Sequence, residues 1–238
     1  VDGEGIMGRS WMKVGGWAGV GAFVSLMTGS LMILSAPQFS DSVAVHRTWF
    51  GENETTIAFL TWLLPLAYVL ILLFASGLRS MLGPADNDNQ GLWSRFSFAA
   101  AVMMVSSAAV GWAFWAVLGL DDVLGVASDE TVRTLSALFT VIFSAIVSTA
   151  QAAFMFGASV VILRSKVMAR WIGILGLATA VLIVLASLWR LSGDPEGLMN
   201  PTEMPLAFGI WMLAVAITMI RSNNATSSTQ ETSQTDHT

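Results

Sequence analysis

The chain has 238 residues, of which 55% are hydrophobic and 11% are charged, and its net charge is -5. Soluble domains carry about 25% charged residues, so this composition excludes an ordinary water-soluble protein. Because the chain has no cysteine, disulfide bonds, a thiol nucleophile and thiolate metal sites are excluded as well.

Six long apolar stretches follow one another along the chain. Each is near or above the roughly 17 to 25 residues that cross a hydrocarbon core of about 30 Å. They predict an all-α membrane protein, a bundle of six transmembrane helices that forms the only domain. The predicted spans are 14–35, 56–78, 96–120, 134–163, 169–189 and 204–220.

The N-terminal segment 1–13 carries Arg9 and Lys13 ahead of the first apolar run, an order that secretory signal peptides share. This run is longer than the roughly 7 to 15 residues of a signal peptide, and no small-x-small cleavage site follows it. We therefore interpret the first span as a retained helix and residues 1–13 as a cytoplasmic segment.

Lysine and arginine are concentrated on alternate connections between the spans. With a cytoplasmic N-terminus, eight of the 11 lie inside and three lie outside. Positive residues favour the cytoplasmic side, so this distribution predicts that both termini are cytoplasmic. The inside residues are Arg9, Lys13, Arg79, Arg95, Arg164, Lys166, Arg170 and Arg221, and the outside residues are Arg47, Arg133 and Arg190.

The first outside loop contains His46 and Arg47 shortly before Trp49 and Phe50. Basic and aromatic residues together are typical of a segment at the membrane surface, which makes an interfacial anchor the favoured interpretation. A catalytic or metal-binding role for His46 is the alternative, although one histidine with scattered acids is a weak metal signal. We predict no metal site and no catalytic residue.

Pro65 lies in the middle of the second span. Proline removes one helical hydrogen bond, so a kink is expected near Thr61 and Trp62. The kink is either a simple bend or a hinge.

Polar side chains are concentrated in the fourth span. Ser144, Ser148 and Gln151 recur at the spacing of one α-helical face. They are interpreted either as hydrogen-bonding contacts between helices or as the lining of a buried cavity.

Small residues recur at every fourth position in several spans, a pattern that lets neighbouring helix backbones approach closely. In the fourth span they predict a ridge that places this helix centrally in the bundle. The positions are Ala145, Thr149, Ala153 and Gly157 in the fourth span, Gly15 and Gly19 in the first, and Ser107 and Gly111 in the third.

Between their boundary residues the six spans contain no Asp, Glu, Lys, Arg or His. Proton-coupled carriers, voltage sensors and ion pumps normally need ionisable groups at membrane depth, so these functions are disfavoured. The polar residues 221–238 have no large apolar side chain after Ile220, which predicts a disordered cytoplasmic tail.

Four short segments follow a pattern of helix boundaries and small residues: the 43–47 loop, the end of the second span at 77–79 with Leu82, the start of the fourth span at 133–135, and the opening of the fifth span at 170–177. In these segments the chain resembles an uncharacterised group of six-span membrane proteins common in actinobacteria. The resemblance implies a location in the bacterial plasma membrane and carries no known activity.

Three functional hypotheses follow. The first is a non-enzymatic helix bundle that acts through membrane lipids, a protein partner or a second copy of itself. The second is a carrier or channel for a neutral or lipophilic molecule, based on the polar face of the fourth span and Pro65. The third is an enzyme at the outer surface. No cofactor and no nucleic-acid partner is expected.

Overall fold

The fold was analysed in a computed structural model, which describes residues 3–38, 40–86, 90–191 and 203–235. The side chains of residues 3–10, 121, 189–191, 203–205 and 223–235 lie outside the description. Within these ranges the regular structure is helical, without strands, which confirms the all-α prediction. The α-helices are α1 (Gly3–Met32), α2 (Val43–Glu52), α3 (Glu54–Leu82), α4 (Leu92–Ala116), α5 (Asp121–Val126), α6 (Asp129–Val141), α7 (Ser148–Ser165), α8 (Arg170–Leu191) and α9 (Glu203–Thr235).

Five helical stretches in the described ranges are long and apolar enough to cross a membrane. They coincide with the first five predicted spans, and the fourth consists of α6, a π-helical segment at Ile142–Val147, and α7. The apolar part of α9, Leu206–Ser222, overlaps the sixth predicted span and is shorter than each of the other five helical stretches. These helices are typical of a multi-pass membrane protein.

The long helices form a closed ring. α1 packs on α3, α3 on α4, α4 on α7, α7 on α8, α8 on α9, and α9 on α1. Consecutive spans run antiparallel, so Arg79, Arg95, Arg164 and Arg170 lie at one end, here called the basic end. The short helices α2 and α5 contact each other at the opposite end, here called the capped end.

Close contact between α1 and α3 depends on three glycines. A β-carbon added to Gly77 would lie 2.8 Å from the Gly15 α-carbon, and one added to Gly19 would lie 2.6 Å from the Phe74 ring. Side chains at these positions would force the backbones apart. The predicted role of Gly15 and Gly19 in helix packing is therefore confirmed.

The small-residue ridge of the fourth span is only partly in contact with another helix. A β-carbon on Gly157 would lie 3.0 Å from the Ser97 β-carbon of α4, whereas Ala153 is half-buried and Thr149 is exposed. Residues four apart rotate about 40° around an α-helix at each step, so the row winds away from α4. The expectation of one continuous ridge was wrong for this reason.

The backbone of residues 221–235 continues α9, where the sequence predicts a disordered tail. Extending an existing helix requires no new nucleation, so polar residues can continue a helix that begins in the apolar segment. Residues 236–238 lie outside the described ranges.

Gly77→Ala is expected to lower the free energy of unfolding by about 1 to 3 kcal/mol, because the methyl group overpacks the contact with α1. Gly51→Ala in α2 is the matched control, since a β-carbon there meets no atom within 4 Å. Thermal unfolding of both variants in the same detergent measures the difference. Equal stability of Gly77→Ala and the wild type would contradict the close contact.

Candidate functional site

A cavity of about 160 Å³ lies inside the helix ring, between the middle of the bundle and the capped end. It is surrounded by α1, α3, α4, α6, the π-helical segment, α7 and α9. Polar side chains contribute Ser30, Tyr68, Trp112, Ser148 and Gln151 to its wall, and none of the lining residues in the described ranges is charged. The apolar wall includes Leu64, Ile71, Met104, Val105, Ala108 and Val147.

The π-helical segment decides which residues of the fourth span reach the cavity. Its hydrogen bonds run from residue i to residue i+5, so Phe143 rather than Ser144 lies beneath Ser148. The Ser148 hydroxyl donates to the Phe143 carbonyl over 2.8 Å, and both side chains line the cavity. Ser144 is buried outside the cavity wall. The prediction of one shared face assumed α-helical spacing, which the π-helical segment changes.

Room for the wide turn comes from α4. A β-carbon on Gly111 would lie 2.8 Å from the Phe143 ring and 2.9 Å from Ile142. The predicted close contact at Gly111 is therefore confirmed, and its partner is the π-helical segment. Without a side chain at this position, Phe143 can turn toward the cavity.

Polar groups in the cavity wall are only partly paired. The Tyr68 hydroxyl donates to the Ala108 carbonyl over 3.5 Å, the outer limit of a hydrogen bond. Gln151 is 7% exposed, and within the described ranges its side-chain amide makes no hydrogen bond. The amide of Gln151 can both donate and accept, so it provides an uncharged recognition group.

The cavity opens between α1 and the fourth span. The lining residues Leu26 and Ser30 of α1 and Ile33 directly after it are half-buried, as are Phe139 and Phe143, whereas the other described lining residues are buried. α1 does not pack extensively on α6 or on the π-helical segment in the described ranges. Exposed apolar side chains flank both sides, as is typical of a surface in contact with hydrocarbon. They are Leu31, Leu34, Leu138 and Val141.

Toward the basic end, four aromatic side chains close the cavity. Phe154 of α7 contacts Phe74 of α3 with a centroid distance of 6.3 Å, and it contacts Phe208 and Trp211 of α9 at 6.2 and 5.6 Å. Each of the four is at most 3% exposed. This aromatic plug separates the cavity from the basic end of the ring.

At the capped end, a column of aromatic rings links α2 to the cavity. Successive rings lie 4.6 to 5.3 Å apart, from Trp49 through Trp115 to Phe139 and Phe143. Phe139 and Phe143 line the cavity, so the position of α2 is coupled to its wall. The aromatic column comprises Trp49, Phe50, Trp112, Trp115, Phe139 and Phe143.

Arg47 holds α2 against the segment between α5 and α6. Its guanidinium donates to Asp129 at 2.9 Å, to the Leu124 carbonyl at 2.8 Å and to the Ala127 carbonyl. Asp129 is 76% exposed, so the ion pair itself contributes little. The two hydrogen bonds to the Leu124 and Ala127 carbonyls satisfy acceptors at the C-terminal end of α5.

His46 and Pro65 lie away from the cavity. His46 is buried, and its Nδ1 donates to the Ser42 carbonyl over 3.1 Å. The described ranges contain no group of three His, Asp or Glu residues that could bind a metal. Pro65 is exposed on α3, which continues on both sides of it. The structure thus brings Ser148 and Gln151 together and leaves Ser144, Pro65 and His46 elsewhere.

Tyr68 is a cavity residue that the sequence analysis missed. It is the only tyrosine of the chain and lies in the centre of an apolar span, where its hydroxyl needs a partner. This isolated position is a signal that sequence reasoning could have used. Trp112 carries no comparable signal, because the chain contains ten tryptophans.

Comparisons of the chain with protein-family models, curated proteins and solved structures give no match. The resemblance to the actinobacterial six-span group therefore stays a prediction. The cavity is interpreted from its own geometry.

Arg47→Ala is expected to increase hydrogen exchange in α2 and α5, because the charged bonds that join them are lost. Hydrogen bonds to a charged group contribute about 1.5 to 3 kcal/mol. Hydrogen–deuterium exchange with mass spectrometry of Val43–Glu52 measures the change. Arg133→Ala is the control, since this exposed arginine makes no hydrogen bond in the described ranges. Equal hydrogen exchange of Val43–Glu52 in the two variants would contradict the role of Arg47 in holding α2.

Proposed function

We propose that this protein is a non-enzymatic lipid-binding bundle of the bacterial plasma membrane, which holds part of an uncharged amphipathic molecule in its cavity. The supporting observation is a cavity flanked by exposed apolar side chains, whose wall holds the Gln151 amide and the Trp112 Nε1–H, a buried donor without a hydrogen-bond partner in the described part of the chain. A buried donor without a partner is costly, so a ligand oxygen beside it would stabilise the bundle.

The size of the cavity supports partial insertion of the ligand. Sites for whole drug-sized ligands occupy about 300 to 1,000 Å³, whereas this cavity has about 160 Å³. A cavity of about 150 Å³ accommodates one benzene ring. An acyl or prenyl chain segment, with the rest of the molecule in the bilayer, fits this volume.

Leaving the space empty would be unfavourable. Cavities in protein cores cost about 24 cal/mol per Å³, or on the order of 4 kcal/mol for this volume. Because the opening faces the hydrocarbon, a chain can enter from the bilayer without crossing water. Occupancy by a membrane lipid removes much of this cost.

The chemistry of the wall supports an uncharged polar group on the ligand. Tyr68, Trp112 and Gln151 contribute hydroxyl, indole N–H and amide groups, and no charged residue of the described ranges lines the cavity. A hydroxyl or ester carbonyl can be satisfied there, whereas a bare charge would lose its hydration without compensation. Neutral lipids such as diacylglycerols or polyprenyl alcohols have this chemistry.

A carrier or channel that spans the membrane is the weaker alternative. A solute leaving the cavity toward the basic end would have to pass Phe154 and its three aromatic neighbours, which are fully packed. The π-helical segment supports a conformational role, because such segments often occur at functional sites. Transport would require movement of Phe154.

Six spans with both termini in the cytoplasm are part of the proposal. All the described lysine and arginine side chains except Arg47 and Arg133 lie toward the basic end, which supports a cytoplasmic basic end. The sixth span would be Leu206–Ser222. At 17 residues it reaches the lower limit of spanning length.

Ala108→Leu is expected to reduce the amount of lipid retained during purification severalfold, because its added carbons occupy the cavity. Ala109→Leu is the matched control, since the adjacent side chain is exposed and points away from the cavity. Lipid extracted after gel filtration is quantified by mass spectrometry. Equal retention in both variants would contradict a ligand in the cavity.

Gln151→Leu extends the same experiment to the polar group. The bond to a ligand that this variant would lose is worth about 0.6 kcal/mol, the average for membrane hydrogen bonds, so the variant should unfold at nearly the wild-type temperature. The lipids retained by the variant should shift toward molecules that have no hydroxyl or carbonyl group able to enter the cavity. An unchanged lipid profile would remove Gln151 from the recognition site.

The orientation is tested with single cysteines, since the natural chain contains none. Glu130→Cys at the capped end should react with a membrane-impermeant maleimide on intact cells. Ala169→Cys at the basic end should react only after permeabilisation, as both positions are exposed but on opposite sides. The reverse pattern would contradict cytoplasmic termini.

A further inference from the structure

A second concave site lies at the basic end, between the C-terminal end of α3 and the N-terminal end of α4. It has a volume of about 550 Å³ and is lined by Arg79 and Arg95, with Ser76, Ser80 and Ser94 beside them. It lies one half of the bundle away from the cavity. Binding at this site does not depend on what occupies the cavity. We propose that this pocket binds the phosphate headgroup of an anionic phospholipid.

The two arginines give the pocket its charge. Within the described ranges neither makes an ion pair, and the ion pair found there is between Arg47 and Asp129. Among the described residues, Asp86 is the acidic residue next to the pocket. It is 5% exposed, and its carboxylate accepts a hydrogen bond from the Ser94 backbone N–H at 2.9 Å. Its carboxylate is thus engaged in holding the start of α4 and lies outside the pocket lining.

The arginine geometry suits a phosphate group. The Arg79 guanidinium lies 5.2 Å from the centroid of the Phe98 ring, a stack that fixes its plane and leaves its N–H edge accessible. A guanidinium can donate two parallel hydrogen bonds to phosphate oxygens. The serine hydroxyls donate to helix carbonyls, at 2.8 Å for Ser76 and 3.1 Å for Ser80, so the arginines are the principal donors.

The position favours a lipid over a soluble phosphate compound. The pocket lies where two membrane-spanning stretches, Glu54–Ala85 and Leu92–Gly119, reach the membrane interface. Exposed Leu73 of α3 and Val102 of α4, four residues beyond Phe98 on the same face, continue the pocket toward the hydrocarbon. A phospholipid can therefore place its phosphate between the arginines and its chains against these apolar side chains. Basic pockets between spanning helices are a recurrent form of headgroup site.

The test measures lipid binding to the full-length protein in neutral detergent by native mass spectrometry. Phosphatidylglycerol, phosphatidylcholine and inorganic phosphate are titrated separately against the wild type, Arg79→Gln/Arg95→Gln and Arg133→Gln. Basic residues near an anionic surface each contribute about fivefold in binding, so the double variant should bind phosphatidylglycerol about 25-fold more weakly. Arg133→Gln, at the capped end, should bind like the wild type.

Two outcomes would overturn the proposal. One is equal binding of phosphatidylglycerol by the wild type and the double variant. The other is inorganic phosphate binding as tightly as phosphatidylglycerol, which would assign the pocket to a soluble ligand. Should the double variant fail to fold, Ser80→Asp places a carboxylate at an exposed position of the same pocket, and it must also weaken phosphatidylglycerol binding.

Discussion

The wide turn at Ile142–Val147 is the local feature on which the interior of the bundle depends. Its i to i+5 hydrogen bonding brings Phe143 and Ser148 to the same face, and Gly111 of α4 provides the space for it. A regular α-helix would bring Ser144 to this face instead. The π-helical geometry thus places an aromatic ring at the cavity opening and leaves Gln151 inside.

The two ends of the bundle differ in how they are closed. At the capped end, the aromatic column and the Arg47 bonds connect α2, α4, α5 and α6, so movement of the cap would be transmitted to Phe139 and Phe143. Toward the basic end, the aromatic plug is packed without exposed surface. In the proposed function a lipid enters from the bilayer, and its exchange requires no opening of the plug.

Sequence periodicity predicted the helical class and the approximate positions of the spans, because about 20 apolar residues are needed to cross a bilayer. It also predicted Gly15 as a contact residue. It did not predict the π-helical segment, since i to i+5 bonding leaves no composition signal, and so it placed Ser144 on the face of Ser148 and Gln151, whereas Ser144 is buried outside the cavity wall. The short helix α5 was missed because six residues are too few for a periodic pattern. Tyr68 lines the cavity because α3 packs on α4, and the sequence of one helix does not specify that packing.

The central claim is that a membrane lipid inserts between α1 and the fourth span beside Gln151. Its most direct test is an electron cryomicroscopy structure of the protein in nanodiscs made from its native membrane lipids. The account predicts elongated density that enters between Ser30 and Phe143 and ends within hydrogen-bonding distance of the Gln151 amide. A gap closed by contact between α1 and α6, with no density inside, would contradict it.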